Sequence, residues 1–204
     1  MRNMLKDAAV LFAITLTAGL VLGFVYQLTK EPIAAQELKA KQEAYKEVFT
    51  DATAFEPVED LGLTQANDML AEAGFAAQEL SDQIQKACDA QGSVLGYVLT
   101  VTTHEGYGGD IVFTMGITQE GTLNGISILS ISETPGLGMK AESVLKPQFA
   151  GKNAEQFTYT KTDAVNDTQI DAISGATITT NAVTNGVNAG LYYFHSTLQE
   201  GGND

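Results

Sequence analysis

The sequence predicts an α+β protein: an N-terminal transmembrane helix followed by a single domain in which helices pack a mainly antiparallel sheet. Three observations predict it. Residues 8–28 carry no charge, the composition shifts to β-branched residues from Ser93 onward, and the C-terminal segment has an apolar stripe at helical spacing.

The uncharged run from Ala8 to Leu28 is 21 residues long. At ~1.5 Å per residue, a helix of that length crosses the ~30 Å hydrocarbon core of a bilayer. The apolar region of a signal peptide covers only ~7–15 residues, and no Ala-x-Ala site follows, so the span reads as an uncleaved anchor. Gly19 and Gly23 form a small-xxx-small face, of the kind that packs helices in lipid. Arg2 and Lys6 precede the span, whereas Lys30 follows it beside Glu31. That bias puts the N-terminus in the cytoplasm and everything after residue 30 outside.

The remaining elements follow in order. Glu31 to Phe49, rich in Ala, Glu, Gln and Lys, continues the helix out of the membrane, with Pro32 in its first turn. Asp51 to Leu63 reads as irregular. Thr64 to Ala73 and Ala77 to Ala87 read as two short helices, the first capped by Thr64. Residues 1–30 thus form the N-terminus and anchor, 31–90 a helical linker and the helical part of the outer domain, and 91–204 the main domain. Val94 to Thr102, Ile111 to Ile117 and Leu123 to Ile131 are predicted strands, the last two joined as a hairpin through Gln119-Glu120-Gly121. Pro135-Gly136 suits the centre of a type II turn, in which glycine supplies the positive φ. Met139 to Phe149 looks helical with an early stop at Pro147, and a short strand is expected around Phe157 to Thr160. The final helix is placed from about Ala176 to Thr197. Its stripe of Ile178, Ala182, Val183, Val187, Leu191 and Phe194 should pack on the sheet.

Composition excludes several functions. The net charge of −14 arises from 25 acidic against 11 basic residues, only one of them arginine, which argues against nucleic-acid binding. Cys88 is the single cysteine, so cysteine-ligated iron–sulfur clusters and c-type haem are excluded, and Cys88 itself is assigned no redox part. His104 and His195 have no partner at metal-ligand spacing and read as surface or packing residues, so no metal site is expected.

Two glycine loops and one helix start carry the remaining signal: Gly106–Asp110, Glu133–Gly138, and the turn Ser174-Gly175-Ala176-Thr177 preceded by Asp171. Glycine loops let backbone N–H groups approach a planar ligand. A small-residue turn opening a helix leaves N–H groups free, and the helix dipole makes that spot attractive to a phosphate. Each also has an ordinary reading: the loops as turns, and Ser174 as the cap of the last helix with Thr177 three residues on.

Taken together, Glu133-Thr134-Pro135-Gly136-Leu137-Gly138 and the later Ser174-Gly175-Ala176-Thr177 with Asp171 ahead of it resemble the FMN-binding domain of RnfG, the G component of the Rnf electron transport complex. The C component of the sodium-translocating NADH:quinone reductase shares that domain. The resemblance extends to the anchor and to Gly23–Ala34 after it, and the chain length fits RnfG better. It implies a covalent FMN whose phosphate is esterified to Thr177, beside Ser174, Gly175 and Ala176. It also implies a flavin transferase that recognises Asp171. Thr179 and Thr180 stand as lesser acceptor candidates, separated from Thr177 only by motif position.

Glu133, Thr134, Gly136, Leu137 and Gly138 are then expected to line the isoalloxazine ring, with Thr134 and the loop backbone donating hydrogen bonds. Lys140 either counters flavin or phosphate charge or is a solvated helix residue. Tyr107 either lies near the ring or covers its loop. The resemblance implies an electron-carrying subunit of a membrane complex that moves electrons between ferredoxin and NAD and couples the transfer to ion movement, together with other membrane subunits. No catalytic residue is expected within this chain. The alternatives are a flavin carrier like the quinone-reductase component, a stand-alone extracellular flavin carrier, and a non-redox anchored assembly domain.

Overall fold

A computed structural model describes residues 2–59 and 61–199. The chain falls into two compact units, Met1–Gln42 and Glu43–Asp204.

The first unit is helical throughout its described residues. It belongs to helix α1, Arg2–Val48, which runs through Pro32 without a break. A lone proline costs the helix one hydrogen bond and a steric push, which 47 residues of continuous helix absorb. Its apolar window is long enough to cross a membrane, and none of it is buried by the chain itself. The Arg2 side chain, one of the charges expected to orient the span, lies outside the described residues.

The second unit is built on a seven-stranded sheet. Strands β4 (Val94–Thr103), β5 (Ile111–Thr118) and β6 (Thr122–Ser130) form its centre as an antiparallel meander. Those three match the expected strands to within one or two residues. Their β-branched residues suit strands buried on both faces rather than the one expected, as consecutive buried residues along β4 and β5 show. The β5–β6 turn closes with the Gly121 N–H donating to the Thr118 carbonyl.

The outer strands depart from expectation. Ala77–Ala87 is not a helix: it supplies β2 (Gln78–Leu80) and β3 (Gln85–Cys88), which lie end to end along β4. β1 (Ala54–Pro57) pairs with β3 inside the stretch expected to be irregular. The reason is tertiary. The long strand β4 offers a row of unpaired N–H and C=O groups on that side, and polar sequences are common on the edge strands that satisfy such a row. Among its described residues, segment 31–90 is therefore helical only in α1 and in α2 (Leu63–Glu72). Helix α2 starts from Gly62 with no side-chain cap, so Thr64 does not cap it.

Beyond β6, the segment expected to be one helix breaks into a 3-10 turn (Gly138–Lys140), α3 (Ala141–Val144) and α4 (Lys146–Phe149). Strand β7 (Lys152–Asn153) pairs with β6, and β8 (Thr158–Thr160) pairs in parallel with β9 (Gln169–Asp171) as a separate ribbon. Helix α5, Thr177–Tyr193, then lies across the sheet and passes into a π-helical turn, Phe194–Leu198.

The main core lies between α5 and the central strands: Leu99, Val101, Phe113, Met115 and Ile117 from the sheet meet Ala182, Val183, Val187 and Leu191. A fully buried Phe or Leu side chain contributes roughly 1.5–3 kcal/mol. Gly186 lets the helix come close, since a Cβ there would fall 2.9 Å from the Phe113 ring. The opposite face carries a smaller cluster of Tyr45, Val48, Phe49, Ala87 and Val98, contributed partly by the last turn of α1. The helix stripe packs as expected except at its first member. Ile178 is 53% exposed and faces away from the sheet.

Candidate functional site

The first turn of α5 and the loop after β6 meet at a cleft of about 520 Å³, within the range of small-molecule sites. Its lining brings together Glu133, Thr134, Leu137 and Gly138 with Gly175, Ala176 and Thr177, seven residues singled out in the sequence and drawn from segments some forty residues apart. Tyr107, Ile178 and Thr179 complete it.

Both walls begin with the same local device. In Thr134-Pro135-Gly136-Leu137, the Leu137 N–H donates to the Thr134 carbonyl at 3.1 Å and Gly136 has φ +79°. In Ile173-Ser174-Gly175-Ala176, the Ala176 N–H donates to the Ile173 carbonyl at 3.0 Å and Gly175 has φ +79°. A hydrogen-bonded turn with a positive φ at its third residue is the type II pattern, and glycine adopts it without strain. Gly136 shapes its turn but does not line the cleft.

Ser174 does not cap the last helix. The N-cap position is Ala176, with no side-chain hydrogen bond, and Ser174 is exposed in the turn before it. The first N–H groups of α5 are thus left without the side-chain acceptor that a serine cap would supply. Asp171 lies apart from the cleft: its Oδ1 accepts the Ala164 N–H at 2.7 Å, and its backbone is gripped by Gln148 through bonds of 2.7 and 3.1 Å. Lys140 is exposed and does not line the cleft.

The three threonines of the helix start have different surroundings. Thr180 is fully buried; its Oγ1 accepts the Ile173 N–H at 3.1 Å and donates to the Ala176 carbonyl at 3.0 Å. That hydroxyl is consumed in locking the turn onto the helix. Thr179 is 1% exposed and packed against the opposite loop: a Cβ on Gly138 would fall 2.6 Å from its Oγ1. Thr177 is only half-buried, and its hydroxyl makes no hydrogen bond among the described residues. Apart from motif position, no signal in the sequence separates these, because all three are threonines at the start of one helix.

The Gly106–Gly109 loop closes a third side. His104 Nδ1 bridges to Asp110 Oδ1 at 2.9 Å across the base of the loop, and this hydrogen bond outweighs partial burial in raising the histidine pKa, with Glu79 adding to it. Inside, Glu105 Oε2 accepts from Gln78 Nε2 and Asn185 Nδ2, both at 2.7 Å, tying the loop to β2 and α5. Tyr107 stands 71% exposed at the tip. Sequence reasoning missed Glu105 and Asn185, because their pairing spans 80 residues.

Behind the other wall, Lys146 reaches Glu142 at 2.5 Å and Glu47 at 2.6 Å. Ser127 also donates to Glu47. Burial opposes the charge on Glu47, but the bonds from Lys146 and Ser127 outweigh it and hold the carboxyl below its ordinary range.

A cleft of this size, with a free hydroxyl and uncapped N–H groups at a helix start, has the room and the donors for a flavin mononucleotide. Comparison with known proteins gives the class. The family model described as the FMN-binding domain matches residues 106–192, and that of the RnfG N-terminal region matches residues 1–48. Over 195 residues the chain is 32% identical to the G component of the Na(+)-translocating ferredoxin:NAD(+) oxidoreductase complex of Acetobacterium woodii, covering 94% of this chain and 91% of that one. It is 30% identical over 190 residues to the G component of the proton-translocating ferredoxin:NAD(+) oxidoreductase complex of Clostridium ljungdahlii, covering 89% and 90%. The crystal structure of Shewanella oneidensis NqrC is similar with a TM-score of 0.48 and 19% identity, covering 58% of this chain and 59% of that one. The chain belongs to the RnfG family of ion-translocating oxidoreductase subunits.

Proposed function

We propose that the chain carries FMN through a phosphoester to Thr177 and serves as the electron-carrying subunit of a membrane complex that couples electron transfer between ferredoxin and NAD to ion movement. The observation that carries the attachment point is the contrast among the three hydroxyls. Thr177 alone combines a place on the cleft with partial exposure and an unengaged Oγ1. The flavin supplies the redox chemistry, while the chain holds and orients it. Thr177 and the first turn of α5 take the phosphate, and Glu133, Thr134, Leu137 and Gly138 bound the ring.

A threonine hydroxyl needs a base to act as a nucleophile. Asp171, with its Oδ1 spent on Ala164, is poorly placed to serve, so a separate flavin transferase is the agent of attachment. Asp171 is then a residue that this enzyme reads, held in place by Gln148. Residues 1–30 form the cytoplasmic N-terminus and the anchor, with the span at about 8–28, and residues 91–204 carry the flavin on the outer side. Other membrane subunits of the complex complete the electron path.

The test is co-expression of the full chain with a flavin transferase. The denatured band should fluoresce as flavin, and intact mass should rise by one FMN phosphoester. Thr177→Ala should abolish both signals. A dark wild-type band defeats the carrier reading and favours a non-redox assembly domain. An adduct that survives Thr177→Ala moves the acceptor elsewhere.

A further inference from the structure

The cleft contains one charge, and it is negative. Among the described residues lining it, only Glu133 has a formally charged side chain. Its exposure is 6%, which ordinarily demands a compensating cation. None is present: no Lys, Arg or His forms an ion pair with it among the described residues. Oε1 accepts the Gly108 N–H at 3.3 Å, and Oε2 has no donor among the described residues.

The carboxylate is nevertheless tightly held. A Cβ on Gly106 would fall 2.9 Å from Oε1, and one on Gly138 would fall 2.8 Å from Oε2. Two glycines from separate loops thus leave room for this group and for nothing larger. A glutamine would fit the same space and could be buried at lower cost, so packing does not account for the charge.

Resting on the reading that the cleft holds FMN, we propose that Glu133 is a positioning residue that opposes reduction of the flavin and sets its potential low. Reduction adds electrons to the ring. A fixed negative charge beside it, with no cation in an ion pair opposite, makes less favourable any reduction that adds more electrons than protons and so leaves the ring with a net negative charge. Lys140, one candidate counter-charge, stands outside the lining.

The test is a redox titration of the full-length, flavin-loaded chain in detergent. In E133Q the reduced-to-oxidised flavin ratio at a fixed ambient potential should rise about tenfold, the effect of one unit charge at ~10 Å in a medium of effective dielectric ~20. E133D, which keeps the charge, should return most of the wild-type ratio. E72Q removes a charge from the exposed end of α2 and should leave the ratio unchanged. If E133Q does not load or fold, L137K places a positive charge on the same cleft from a residue already 41% exposed, and should raise the ratio likewise. A ratio within twofold of wild type in E133Q, or in L137K where that variant is used, overturns the proposal while leaving the flavin reading intact. An equal rise in E72Q overturns it in favour of net charge. Wild-type protein without flavin overturns both.

Discussion

The two turns that wall the cleft are alike in backbone and unlike in the segments they open. Each is a hydrogen-bonded turn with its glycine at φ +79°. The Ile173–Ala176 turn leads into 17 residues of helix buried along the sheet, and Thr180 pins it from inside. The Thr134–Leu137 turn leads only into a 3-10 turn and two four-residue helices, and Leu137 and Met139 stay 41% and 42% exposed. One wall is therefore backed along the sheet by a long buried helix, and the other rests on short segments that stay partly exposed. A phosphate anchor needs the first, because its N–H groups must be pre-aimed. A ring is gripped by shape, and a short segment can adapt to it.

Four substitutions break or sharpen that comparison. The largest effect is expected where the walls touch. Gly138→Ala drives a Cβ into Thr179 Oγ1 and Glu133 at once, and should cost about 2–3 kcal/mol of stability and most flavin loading. Denaturant midpoints and flavin per chain measure it, and unchanged loading would mean the walls are not closely fitted. Next comes Thr180→Val, which strands the Ile173 N–H and removes the bond to Ala176. About 1–3 kcal/mol should be lost, with the damage confined to the helix start in hydrogen exchange.

The smallest is a matched pair. Gly175→Ala and Gly136→Ala carry the same φ cost of ~1 kcal/mol, but a Cβ at Gly175 also meets Leu137 Cδ2 at 3.1 Å, whereas Gly136 faces open space. Thermal melts should rank Gly175→Ala below Gly136→Ala. Equal melting would erase the proposed difference between the walls.

Much of this arrangement is legible in the residues. The meander of β4, β5 and β6 follows from β-branched composition and from Gly121, and the Pro135-Gly136 turn from the type II demand for positive φ. Edge strands are not legible. Gln85-Lys86-Ala87-Cys88 has helix-forming composition and becomes a strand because β4 on one side and β1 on the other complete its hydrogen bonds. The helix cap is hidden for a related reason: Ser174 has the right chemistry, but the positive φ of Gly175 delays the helix by two residues.

What the sequence determined by itself is local. A 21-residue uncharged run dictates a helix long enough to span, β-branched composition dictates the sheet centre, and glycine with proline dictates where the backbone turns. Only the tertiary structure decided which hydroxyl is free, which carboxylate is buried without a cation, and which expected counter-charge stands outside the site. Thr177, Thr179 and Thr180 differ in nothing but their surroundings, and those surroundings are Ile173, Gly138 and Glu133, folded back from other parts of the chain. Periodicity is written along the chain. The satisfaction of a polar atom is a sum over everything that folding brings near it.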